Sequence, residues 1–76
     1  MIDVKEAVGK AATFLQALIP NAWKERLEEV ELTEDEKYWL VTLSYLESMI
    51  ETQRQYKSFK VDATSGEVQS MKIRSV

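Results

Sequence analysis

The residues able to do chemistry in this 76-residue chain are carboxylates, hydroxyls, lysines and arginines, because it contains neither cysteine nor histidine. Without cysteine there are no disulfides, zinc ribbons or thiol nucleophiles. Without histidine the commonest general base and the commonest transition-metal ligand are gone. Three groupings remain. Glu28, Glu29, Glu31, Glu34, Asp35 and Glu36 could supply a general acid and base, but a glycosidase-type pair must face its partner across a cleft at a defined separation. Nothing in the pattern builds a cleft, and glutamates on a strand face are normally solvated. Asp62 with Thr64, Ser65 and Gly66 suggests a small-cation loop, yet calcium takes about six to eight oxygen ligands. Only Asp62, Glu67 and backbone oxygens are evident there, and an aspartate fixing its own turn accounts for the same residues. Tyr38, Tyr45 and Tyr56 with Lys57, Lys60, Lys72 and Arg74 are the residue types of a sheet that binds single-stranded nucleic acid. The net charge, however, is −3, and no RNP-like or GXXG motif is present. The expectation is a non-enzyme with no catalytic residues, no metal, no cofactor and no nucleic-acid partner.

Any remaining activity depends on the elements that position these side chains. Asp3 to Ile19 reads as a helix, since Val4, Ala7, Val8, Ala11, Phe14 (or Leu15) and Leu18 fall at the three- and four-residue spacings of one stripe. Asp3 is placed to cap the first turn, with Glu6 completing a capping-box arrangement. Lys5, Lys10 and Gln16 fall on the outer face. Gly9 costs about 1 kcal/mol against alanine, which points to a close approach of the helix backbone to the sheet. Pro20 ends the run, because the residue before proline is pushed out of helical geometry. Asn21 to Arg26 reads as a short extra turn or a connection, with Trp23 a lid on one edge of the core.

From Leu27 the period changes to two. Val30 and Leu32 alternate with Glu29 and Glu31, as in a half-buried strand. Thr33 to Lys37 is a polar connection to Tyr38–Tyr45, the run richest in aromatic and β-branched residues. Trp39, Val41, Leu43 and Tyr45 are expected to face the helix, leaving Tyr38, Leu40, Thr42 and Ser44 on the other side. Leu46 to Gln55, with Leu46, Met49 and Ile50 as apolar anchors, is too short for a parallel crossover and longer than a tight hairpin loop. A strand extension, a flexible excursion and one helical turn all fit it. Tyr56–Asp62 and Glu67–Arg74 form a second hairpin, in which Phe59 and Val61 alternate with Ser58 and Lys60. Ala63 to Gly66 makes the turn, with Gly66 free to take a positive φ. The fold class is α+β: one N-terminal amphipathic helix packed on a four-stranded antiparallel sheet of two hairpins.

Length and charge set the remaining bounds. One domain, residues 1–76, buries about 60–65% of the surface its unfolded chain exposes, so its core is thin and leaves no room for a deep pocket. The run from Met1 to Glu6 is charged from Asp3 onward and has no apolar signal core. No apolar run approaches the roughly 20 residues of a membrane span. The cytoplasm is the expected location, with no membrane partner. Charge is uneven: the segment Glu25–Glu36 is strongly acidic, whereas Arg54, Lys57, Lys60, Lys72 and Arg74 make the C-terminal part basic. Pairing between neighbouring strands would absorb part of that asymmetry.

The stretch Phe59-Lys60-Val61-Asp62-Ala63-Thr64-Ser65-Gly66-Glu67-Val68 resembles the terminal hairpin of PepSY-type domains. In these an aspartate after a strand is followed by a Thr/Ser-Gly-Glu-Val turn. An alanine-rich helix from Val4, then Val30-Glu31-Leu32 and Tyr38–Leu43, extends the likeness along nearly the whole chain. The resemblance implies a helix on an antiparallel sheet. It also implies a peptidase-inhibitory or regulatory role, since such domains occur in protease propeptides and in secreted or membrane-attached proteins.

One helix covers one face of a four-stranded sheet. The opposite face would expose Tyr38, Leu40, Thr42, Tyr56 and Ser58, and large exposed patches usually mark contacts. These are the expected partner-binding residues. The expected partner is another protein, met through the open face or an edge strand, or a second copy in a structural homodimer.

Overall fold

The computed structural model describes residues 1–50 and 52–74. Its elements are a helix α1 (Val4–Leu18) and strands β1 (Trp23–Leu32), β2 (Tyr38–Leu46), β3 (Gln55–Asp62) and β4 (Val68–Ile73). The strands form one antiparallel meander in chain order, β1-β2-β3-β4, and α1 lies on one face. The expected fold class is the one observed.

The helix begins where the Asp3 carboxylate accepts the Glu6 amide at 2.8 Å, satisfying one of the orphan donors of the first turn. It ends at Ile19, whose amide still reaches the Leu15 carbonyl at 2.8 Å before Pro20 breaks the ladder. Ala7, Ala11 and Leu15 are fully buried. This i, i+4, i+8 line puts small residues against the sheet and gives the core position to Leu15, with Phe14 packed at its flank. Val4 and Leu18, expected in the stripe, are exposed, because at each end the helix runs past the sheet-facing line. The expected close approach at Gly9 is absent: a Cβ built there meets nothing within 4 Å. Gly9→Ala should therefore raise stability by about 1 kcal/mol, the helix-propensity difference alone. A urea midpoint that falls on this substitution would contradict it.

The sheet supplies Val41, Leu43, Tyr45, Phe59 and Val61 to the core, with Trp39, Val30 and Met71 at its margin. The expected helix-facing set on β2 is thus the observed one. Phe14 meets Phe59 edge-on, centroids 6.3 Å apart at 79°, a favoured aromatic geometry. The chain start is stitched down by the Ile2 amide on the Ala63 carbonyl (2.7 Å) and by the Trp39 indole N–H on the Ile2 carbonyl (3.2 Å).

Two expectations about segments are corrected. Residues 23–26 are neither an extra turn nor a connection; β1 starts at Trp23, four residues before the alternating pattern begins. Bulges between Trp23 and Arg26 and between Leu27 and Glu29 shift side chains between faces and erase the period-two signal there. Trp23 does not close the core. It pairs with Leu46 in the ladder, and its indole donates to the Ser48 carbonyl at 3.1 Å. In the 46–55 segment Leu46 ends β2 and Gln55 starts β3; Met49 and Ile50 are exposed rather than anchored, and Glu51 lies outside the described residues. The β3–β4 turn does need its glycine. Gly66 has φ +79°, and a Cβ there would sit 3.2 Å from the Lys10 Cε.

Candidate functional site

The face of the sheet away from α1 is built from cross-strand rows that the register defines. One row is Glu31, Leu40, Lys60 and Ser70, another is Glu29, Thr42, Ser58 and Lys72, and a third begins Arg26, Ser44, Tyr56. Side chains directly opposite in an antiparallel ladder share a face. All five expected binding residues therefore lie on this open face, but in two different environments.

Towards the Leu46 end, the face is sealed by polar side chains. Thr42 is 4% exposed and Ser44 0%, which is unusual for the uncovered side of a sheet. Arg74 reaches from the end of β4 across β3, donating to the Thr42 Oγ1 at 2.8 Å and to the Glu29 carboxylate on β1 at 2.6 Å. That contact with Glu29 holds the Arg74 guanidinium above its ordinary pKa. Thr42 and Ser58 share a hydroxyl–hydroxyl bond of 3.1 Å beneath it. Arg54 covers Ser44, donating from Nε to the hydroxyl at 2.9 Å and from a terminal nitrogen to the Ser44 and Lys24 carbonyls. The Ser44 hydroxyl in turn donates to Glu28 at 2.5 Å, and Arg26 flanks that carboxylate at 3.5 Å. Among the described residues every buried side-chain polar atom has a partner. Thr42 is thus beneath the surface instead of on it, because two arginine arms cover what an alternation rule leaves open.

Towards the Tyr38 end the face is accessible. A shallow groove of about 270 Å³ runs over Leu40, bordered by Thr33, Ser58 and Ser70 hydroxyls and by the Lys60 and Lys72 amines. Tyr38 and Leu40 are half-buried, and the Lys60 ammonium stands 4.3 Å over the Tyr38 ring, within cation–π range. A larger hollow of about 460 Å³ opens beside Arg54, Tyr56, Ile73 and Arg74. Tyr56 and Ser58 are half-buried between the two regions.

Carboxylates elsewhere serve turns. Asp62 accepts the Thr64 and Ser65 amides, each at 2.8 Å, and these bonds, that from Ser65 foremost, hold its pKa below the ordinary 3.8. Asp35 is lowered in the same direction by the Thr33 hydroxyl and then the Lys37 amide. Hydrogen bonds to a carboxylate favour its charged form, so both turns draw full support only above the unfolded pKa and lose it as pH falls through the lower folded value. Tyr45 is shifted upward, first by burial and then by Glu47. It belongs to the core. Among the described residues no group of three or more potential metal-ligating side chains is gathered, and no helix is long and apolar enough to cross a membrane.

Sequence reasoning missed Lys60, Lys72, Arg54 and Arg74 as parts of this face. For the two lysines the signal was present: Lys60 alternates with Phe59 and Val61, and Lys72 with Met71 and Ile73, which sends both amines to the open side. The same alternation covered Arg74, which follows Ile73 in the expected strand Glu67–Arg74, whereas Arg54 lies ahead of the strand expected from Tyr56, where alternation says nothing. No protein-family model matches the chain, and neither a curated protein nor a solved structure is detectably similar to it.

Proposed function

We propose that this chain is a small, non-enzymatic protein-binding or regulatory module that works through the accessible half of its open sheet face. The observation that carries this reading is the groove over Leu40, where a half-buried apolar floor is bordered by two lysines and three hydroxyls. A shallow strip of that kind suits a protein surface more than a small substrate, which needs a deeper enclosure. Tyr38 and Leu40 are the contact residues, and Lys60 and Lys72 add charge selection. Thr42, Tyr56 and Ser58 support the face from beneath or beside the Arg74 arm. The resemblance of the 59–68 hairpin to PepSY-type domains makes peptidase regulation the first role to test, and the cytoplasm is the proposed location.

The test is capture from cell extract by four forms of the protein: wild type, Tyr38→Ala/Leu40→Ser, Lys72→Glu, and Lys5→Glu on the exposed side of the helix. A partner is expected on the wild type and on Lys5→Glu, and should be lost from the other two while they still melt cooperatively. Equal retention by all four would remove the open face from the reading. If the double variant fails to fold, Lys72→Glu decides alone, because Lys72 is exposed.

A further inference from the structure

The kind of partner is written in how charge is spread across this face, an inference that rests on the open face being the binding surface. The acidic and basic segments do not become neighbouring strands. β2 lies between them: the acidic residues follow the edge strand β1 and its turn, and the basic ones lie on or beside β3 and β4, so their charges do not cancel locally. Arg74 spans the gap and neutralises Glu29. Glu31 on β1 and Lys60 and Lys72 on β3 and β4 make no ion pair among the described residues. The two rows through Leu40 and Thr42 thus each start at a glutamate and pass towards a lysine. The face is a dipole across its width, with hydroxyls and Leu40 along its middle.

We propose that the partner is a second copy of this chain, stacked open face to open face about a two-fold axis parallel to the strands. Rotation about that axis keeps each cross-strand row at its own height and reverses the strand order. β1 then lies over β4 of the other copy, and β2 over β3. Glu31 comes over Ser70 between Lys60 and Lys72 of the second copy, Glu29 over Lys72, and Leu40 over the aliphatic stem of Lys60. A two-fold axis running across the strands would instead set Glu29 and Glu31 against their own copies, so the charge pattern selects the first axis and opposes the second. Stacked sheets keep their strand directions within about 30° of each other, which this axis satisfies. Four strands about 4.8 Å apart and nine residues at about 3.3 Å each give a face of roughly 550 Å². That is below the about 800 Å² per partner of a standard interface. The dimer is therefore weak, and its exposed charges make it sensitive to salt.

Sedimentation equilibrium tests this with two single charge reversals at exposed positions, Glu31→Lys and Lys72→Glu. Wild type should associate reversibly as its concentration rises towards about 1 mM in low salt, and dissociate at about 0.5 M salt, where the Debye length falls to a few ångströms. Each reversal alone sets like charges together twice per dimer and should raise the dissociation constant about tenfold or more. Mixed in equal amounts the two variants should dimerise again, since the new lysine then meets the new glutamate in one half of the pair and the native Glu31 meets the native Lys72 in the other. A wild type that stays monomeric throughout overturns the proposal, as does a mixture no more associated than its components or a dimer indifferent to both reversals. A monomeric wild type whose captured partner is nonetheless lost on Lys72→Glu would remove the second copy and leave the open-face reading standing.

Discussion

Replacing Phe59 by alanine is expected to cost about 3–5 kcal/mol, the usual range for deleting a buried aromatic ring. A 76-residue domain has in total only roughly 4–11 kcal/mol to lose, at about 0.05–0.15 kcal/mol per residue. The variant should therefore lose a large fraction of its stability, and at the low end of that range it is half-unfolded without denaturant. Phe59 is 1% exposed and sits in β3 between Val41 and Met71 on the neighbouring strands. Its ring takes the edge of Phe14 from the helix, so one deletion opens a void to both layers. The layer is thin and no second core stands behind it. Phe14→Ala, at the half-buried flank, should cost distinctly less. Urea titration followed by fluorescence of the two tryptophans checks both; a loss under about 1.5 kcal/mol for Phe59→Ala would mean that α1 is not seated on β3.

Phe59 was legible in the sequence, and the reason is general to this chain. Val41, Leu43, Tyr45, Phe59 and Val61 lie in regular stretches of central strands, where alternation decides burial. Asp3 and Pro20 bracket the helix by local chemistry alone. Periodicity failed where the backbone departs from regularity. The bulges in β1, with Lys24 at φ 51°, put Trp23 and Arg26 into a strand that no alternation announces. The choice between Phe14 and Leu15 was a matter of phase, which a stripe of mixed alanines and large residues leaves open. Gly9 was misjudged because a helix-interior glycine signals close packing only when something packs on it.

The open face shows a different limit. Its composition was readable, since parity assigns Tyr38, Leu40, Thr42, Tyr56 and Ser58 to it, and Lys60 and Lys72 with them. Its accessibility was not readable. Whether Thr42 meets solvent depends on where a long, flexible side chain from another strand end comes to rest, and Arg74 settles on it from across the sheet. Such tertiary contacts carry no local signature. They divide the face into a sealed half that stabilises and an accessible half proposed to bind.

That division is tested by the second large effect. Arg54→Met keeps most of the aliphatic stem and removes the guanidinium that donates to the Ser44 hydroxyl and to the Ser44 and Lys24 carbonyls. Ser44 is fully buried, so its groups lose a charged donor in a place where water enters poorly. Hydrogen bonds to charged groups contribute about 1.5–3 kcal/mol, and the loss should fall in that range, towards its lower end because Arg54 itself is half-exposed and admits some water. Arg54→Lys should recover only part, since an ammonium lacks the planar fork that reaches hydroxyl and carbonyls together. Ser44→Ala in the Arg54→Met background should cost little more, because the two groups act as one unit. The sealed half and the binding half then separate by readout. Arg54→Met lowers the urea midpoint while the folded fraction still associates or captures a partner, whereas Lys72→Glu leaves the midpoint in place and abolishes association. A change under about 0.5 kcal/mol for Arg54→Met, the level of ordinary surface substitutions, would show that water replaces the guanidinium. The seal over Ser44 would then contribute nothing, and the cover over Thr42 would rest on Arg74 alone.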